Sequence, residues 1–125
     1  MVHKVARCAC LCLAVIVIAS CATSQSRYAL FGPSFPPKSA DYKVEVFRES
    51  IPNRPFVRIS RIDVHLEKTG LIPSSFEEVL PELKKQAQLS GADAVVEIRE
   101  GHSRVGETRI YHVTATGIHY TVGAQ

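Results

Sequence analysis

Tryptophan is absent from this chain, and beyond residue 21 so is cysteine. A segment without thiols has no disulfide, no thiolate nucleophile and no cysteine metal ligand. No serine sits in a Gly-x-Ser-x-Gly elbow, and no glycine-rich loop leads to Lys-Ser/Thr. Those absences remove the usual frames for acyl transfer and nucleotide binding. Long runs of one charge are also missing. The 15 bases and 12 acids are interspersed for a net charge of +3, whereas a nucleic-acid binder carries a basic stripe. No nucleic-acid partner is expected. Glycine and proline number seven each, too few for a collagen-like or low-complexity chain.

What is present begins with an uneven first segment. Lys4 and Arg7 are the only Lys, Arg, Asp or Glu before Cys21. Cys8 to Ala19, "CACLCLAVIVIA", is almost wholly apolar. As a helix it would rise about 18 Å, against a hydrocarbon core of about 30 Å. A basic start, a short apolar run and small residues after it form a secretory signal peptide over residues 1–20. The competing readings are an ordinary signal peptide with a chance cysteine, or a short uncleaved anchor. The spacing of Cys8, Cys10 and Cys12 does not match the C-x₂₋₄-C pairs of zinc sites.

Ile18-Ala19-Ser20-Cys21 resembles the bacterial lipobox. The resemblance implies cleavage between Ser20 and Cys21, diacylglycerol on the Cys21 thiol, and acylation of the new amino group. Two or three acyl chains anchor a protein firmly where one does not. Ala22, rather than Asp, follows the cysteine. By the same resemblance the protein sits on the inner leaflet of the outer membrane, facing the periplasm, with the inner membrane as the alternative.

Residues 21–40 read as a lipidated N-terminus and flexible tether, because Ser, Pro and Gly punctuate them and no period persists. Tyr28, Phe31 and Phe35 within it are candidate partner-docking residues, or else pack onto the domain edge. The domain spans 41–122, with 123–125 as a tail. "YKVEVF", Tyr42 to Phe47, alternates as a short strand. "FVRISRIDVHLEK" is a second strand in which Val57 and Ile59 share one parity and Ile62, Val64 and Leu66 the other. An extra residue would put both sets on one face, which predicts a β-bulge near Ser60-Arg61. Ser75 with Glu78, or Ser74 with Glu77, makes a capping box for a helix ending at Gly91. Its expected inner face is Phe76, Val79, Leu80, Leu83 and Ala87, joined by Leu89 or Ser90. Pro81 is its weak point, expected to kink or split it. "ADAVVEIRE" and "RIYHVTATGIHYTV" are two further strands, with "GHSRVGET" as a hairpin loop. The order β-β-α-β-β predicts a small α+β domain, one sheet packed on one helix. A core this small yields only a few kcal/mol, so self-association through a sheet edge is plausible physics.

"LKKQAQLSGADAVVEIR", Leu83 to Arg99, resembles the helix-to-strand signature of small bacterial domains of the YbjQ-like and RcsF-like families. "IPNRPFVRISRIDV", Ile51 to Val64, and "VTATGIHY", Val113 to Tyr120, resemble their first and last strands. The resemblance implies a fold much more than a function. The stress-sensor ectodomain of the RcsF-like kind uses disulfides, which this segment lacks. Some YbjQ-like members are named heavy-metal-binding.

Four histidines follow Cys21: His65, His102, His112 and His119. His65 and His112 are the weak candidates for a metal pair, meeting across the sheet; no metal site and no cofactor is expected. Arg99, Arg104 and Arg109 are candidates for a small anion- or partner-binding patch, against the alternative of a solvated face. Asp93, between two alanines, is expected to bond nearby backbone amides. No catalytic residue emerges. The expectation is a lipid-anchored, non-catalytic module that binds an envelope protein or copies of itself. The alternatives are an envelope-stress or assembly sensor, and a metal or small-ligand carrier.

Overall fold

The computed structural model of this chain describes residues 22–70 and 73–122. The residues expected to form a signal peptide and lipobox, 1–21 with Ser20 and Cys21, and the 123–125 tail lie outside the described residues. Five strands form one sheet: β1 (Ala22–Leu30), β2 (Glu45–Val46), β3 (Phe56–Thr69), β4 (Ala94–Val105) and β5 (Thr108–Tyr120). One helix, α1 (Phe76–Ser90), packs on it. The spatial order is β1-β3-β5-β4-β2, antiparallel except for β2 against β4. The domain is therefore α+β, with one sheet on one helix.

The strand order differs from expectation by one added strand. Ala22–Leu30 is paired with β3 along its whole length, from Ala22 opposite Lys68 to Leu30 opposite Ser60. Alternation fails to announce it because Ser26 alone is half-buried and its other residues are exposed. A period of two appears in sequence only where one face is buried. The segment after β1 is also fastened. The Phe31 and Gly32 amides donate to the Ile59 carbonyl at 3.1 and 3.2 Å. The Lys38 amide donates to the Gln88 carbonyl at 2.8 Å. Gln88 Nε2 donates to the carbonyls of Ala40 and Tyr42. The domain thus begins at β1, not near Asp41, and the 21–40 tether reading is corrected over 22–40.

Ser75 caps α1, and its amide donates to the Glu78 carboxylate at 3.1 Å. Gly91 ends the helix at φ +81, where a Cβ would come within 2.7 Å of the Phe35 carbonyl oxygen. Pro81 lies inside a single unbroken helix rather than splitting it. Its missing N–H leaves the Glu77 carbonyl without a helical donor, and both residues are exposed to water. Phe76, Val79, Leu83, Ala87 and Ser90 turn inward at helical spacing, while Leu89 faces solvent. They meet Ile62, Val64 and Leu66 of β3 and Tyr111, Val113 and Ala115 of β5.

Two register shifts bend the sheet. The β3–β5 pairing shifts between Arg58 and Ser60, and Ile59 and Ser60 are both fully buried. The β4–β5 pairing shifts between Val96 and Arg99, where Glu97 takes φ +53. A second apolar cluster, Ala94, Val96 and Ile118 with Phe47, Phe56 and Tyr120, forms apart from the main core. The expected "GHSRVGET" loop is mostly strand. β4 and β5 run on to Val105 opposite Thr108, joined by Gly106-Glu107. Gly106 at φ +60 supplies the positive φ that a two-residue hairpin loop requires. Among the described residues no helix is long and apolar enough to cross a membrane.

Candidate functional site

Asp93 sits between the end of α1 and the start of β4, and its backbone is fixed on both sides. Its amide donates to the Ile118 carbonyl at 2.8 Å, and its carbonyl accepts from Glu45 at 3.2 Å. The carboxylate gathers four groups. Oδ1 accepts the Tyr42 hydroxyl and the Lys38 ammonium, each at 2.8 Å. Oδ2 accepts the Tyr120 amide at 2.8 Å and lies 3.1 Å from His119 Nδ1. His119 stacks flat on Phe35. Burial alone would raise the Asp93 pKa. The Lys38 ammonium, the Tyr120 amide, the Tyr42 hydroxyl and His119 outweigh it and hold the carboxyl below its ordinary range. Burial first, and then Asp93, push the Tyr42 phenol up to about 12.

A carboxylate offers about four lone-pair sites, and Asp93 has four neighbours to fill them. Tyr42, Lys38 and the Tyr120 amide engage both of its oxygens, with His119 beside Oδ2. Its chemistry is that of a latch, tying Lys38 and Tyr42 to the junction of α1 and β4. The sequence reading expected nearby amides for Asp93, whereas the amide that reaches it is that of Tyr120, 27 residues on, and it missed Lys38 and Tyr42. Their only signal was the paired placement of a cation and a phenol before the first expected strand.

The two metal candidates do meet. His65 lies directly opposite His112, with ring centroids 5.8 Å apart at 66°. They line a shallow pocket with Gln25, Arg27 and Asp63. His65 Nε2 is 2.9 Å from Glu67 Oε1. Asp63 stands between two guanidiniums, Arg27 at 3.8 Å and Arg61 at 3.5 Å. Among the described residues no group of three His, Cys, Asp or Glu side chains is placed to hold a metal ion.

The six candidate partner residues do not form one patch. Phe35 is half-buried against His119. Tyr28 is on β1 opposite Ile62, and Phe31 is 60% exposed just beyond that strand. Arg99 shares a depression with Phe31, Arg61 and Glu97. Arg104 and Arg109 stand directly opposite each other near the β4–β5 turn. The expected three-arginine patch is thus a pair plus one: β4 and β5 keep one register from Arg99 to Val105, so Arg99, five residues before Arg104, lies on the opposite face of the sheet.

The residues that sequence reasoning missed are backbone groups. β1 is an edge strand, so one side of it has no neighbour. β2 covers only Ala94 and Val95 of β4, which leaves Arg99 to Val105 as a second open edge. Such an edge is a row of unpaired donors and acceptors that can accept another strand.

No protein-family model and no curated protein matches this chain. A solved structure of a Francisella virulence factor, FvfA, is similar in shape, with a TM-score of 0.47 and 13% sequence identity. The likeness covers 74% of this chain and 97% of that one.

Proposed function

We propose that this chain is a lipid-anchored envelope protein whose domain binds another chain, or a second copy, by strand addition along β1. The observation that carries the reading is an exposed nine-residue edge strand. Natural proteins commonly blunt such edges with proline or inward charge. β1 has no proline, and Arg27 is its only charge. Main-chain hydrogen bonds would give affinity, and alternate side chains such as Gln25 and Arg27 would give specificity.

The basic start, short apolar run and lipobox support acylation at Cys21, and Ala22 at the next position supports the outer membrane. One peptide unit separates Cys21 from the first residue of β1, so the anchor would hold this edge beside the bilayer. The same reading takes the β3 register shift as a bulge at Ile59, one residue before the expected Ser60-Arg61 position.

Two measurements test it. Intact mass of the protein extracted from membranes is expected to begin at an acylated Cys21; a mass that retains residue 1 removes the anchor. Photocrosslinkers placed at Gln25 and Arg27 are expected to give one discrete adduct that a probe at Leu89, on the exposed side of α1, does not. Equal adducts from all three positions would remove the edge reading.

A further inference from the structure

The end of the sheet where the chain arrives carries a basic groove. Ala22 is opposite Lys68, Lys68 is opposite Arg109, and Arg109 is opposite Arg104. The four residues form one row across β1, β3, β5 and β4, about 14 Å wide at the usual strand spacing. The row lies on the α1 side of the sheet, because Lys68 and Arg109 are each two residues from the inward-facing Leu66 and Tyr111. Lys68 is bound to Glu78. Tyr111 donates to Glu100, which also binds Arg48. Among the described residues neither Arg104 nor Arg109 has a carboxylate partner. Arg104 gives its Nε–H to the Gly106 carbonyl at 2.8 Å, which leaves its terminal nitrogens free for another acceptor.

Like charges placed directly opposite on a sheet repel each other. Two guanidiniums facing without an acid between them are relieved by an anion. Arg104 and Arg109 line a groove of about 380 Å³ with His102, Ser74, Pro73 and Tyr111. Among the described residues the Ser74 hydroxyl oxygen in that wall is buried without a partner. A tetrahedral oxyanion offers acceptors to both guanidiniums.

We propose that this groove holds the phosphate of an anionic lipid headgroup in the leaflet that carries the Cys21 acyl chains. The proposal rests on the lipid-anchor reading. Its own ground is position: Ala22, one peptide unit from Cys21, begins the row that ends in Arg109 and Arg104. The far end of the sheet, where Phe56 pairs with Tyr120, is about 40 Å away along β3. The domain would stand with the β4–β5 turn down on the headgroups, leaving the length of β1 available from the side.

The test uses the acylated protein in lipid nanodiscs. A dye is attached at Glu107→Cys in the turn or at Asn53→Cys at the far end, and spin-labelled headgroups serve as quenchers. In phosphatidylglycerol discs, quenching at position 107 is expected to exceed that at position 53 by fivefold or more. Arg109→Glu, which swings two charges, is expected to reduce the quenching at 107 by more than the roughly fivefold that losing one cation near an anionic leaflet costs. That variant places an acid opposite Arg104, so its denaturation midpoint is expected to hold or rise, while Arg109→Lys keeps the quenching. Equal quenching at both dyes, or identical quenching in phosphatidylcholine discs, overturns the proposal. So does inorganic phosphate, if it occupies the groove in phosphatidylcholine discs and Arg109→Glu abolishes that binding; the groove would then take a free anion. The intact mass of the same sample separates the two failures. An unmodified Cys21 sinks the anchor, whereas an acylated Cys21 with a solvent-exposed turn sinks the groove assignment alone.

Discussion

Phe35 lies flat on His119, with ring centroids 3.7 Å apart and 14° between the planes. His119 Nδ1 in turn sits 3.1 Å from the Asp93 carboxylate and 3.3 Å from the Gly91 carbonyl. An aromatic that looks like a docking residue in sequence is therefore part of the strap that closes over the α1–β4 junction. Phe35→Ala is expected to lower folding stability by about 1–2 kcal/mol, less than a fully buried Phe→Ala because the ring is only half-buried. Urea unfolding measures it. An unchanged midpoint would return Phe35 to the candidate docking surface.

The latch itself makes a sharper prediction. Asp93→Asn removes the countercharge of Lys38, whose side chain is only one-fifth exposed. The expected loss is about 2–4 kcal/mol, below the full cost of orphaning a deeply buried charge. Lys38→Met combined with Asp93→Asn is expected to recover part of that loss, since the unpaired ammonium is then gone. A double-mutant cycle reads the coupling. Additive losses would mean that Lys38 and Asp93 do not act together.

The same group sets an acid limit. The fold favours the ionised form of Asp93, whose pKa falls below its ordinary 3.8. Its contribution to stability is complete above that value and is lost as pH falls through the lower, folded-state value. Tyr42 sets an alkaline limit by the opposite sign. Its phenol is raised from 10.0 to about 12, so the neutral form is favoured by the fold. That contribution is complete below pH 10 and disappears as pH approaches about 12. Melting temperature against pH is expected to fall at both ends. Asp93→Asn is expected to flatten the acid limb.

His65 and His112 provide the metal test. Their rings meet across the sheet, but Asp63 is held between Arg27 and Arg61 and the neighbouring charge includes those two cations. Zinc takes at least three protein ligands, and among the described residues no group of three is placed to hold it. Calorimetric titration with zinc or copper is expected to show no saturable binding in the micromolar range. Stoichiometric heat that His112→Ala abolishes would contradict this.

Much of the fold was legible because its elements are half-buried. The helix from Phe76 to Ser90, its Ser75 cap and its Gly91 stop follow from apolar spacing and backbone conformational preference, which are local. The alternation in β3 and β5 has the same cause. Pro81 does not split the helix, because the cost of one missing hydrogen bond is set against the burial of Val79, Leu83 and Ala87, which hold the helix together on both sides of it. The Glu97 shift left no local mark beyond a charged residue in an apolar run. Strand parity beyond it sets Arg99 on the opposite face from Arg104 and Arg109.

By itself the sequence determined the class of this domain, the ends of its helix and the absence of thiols after residue 21, since each depends on residue type and near neighbours. Only the tertiary structure decided that Ala22–Leu30 is a strand, that Asp93 reaches Lys38 and Tyr42, and that Ala22, Lys68, Arg109 and Arg104 share one row. Those are pairings between segments far apart in the chain. An edge strand held by backbone hydrogen bonds needs no buried face, so it leaves no hydrophobic period from which it could be read.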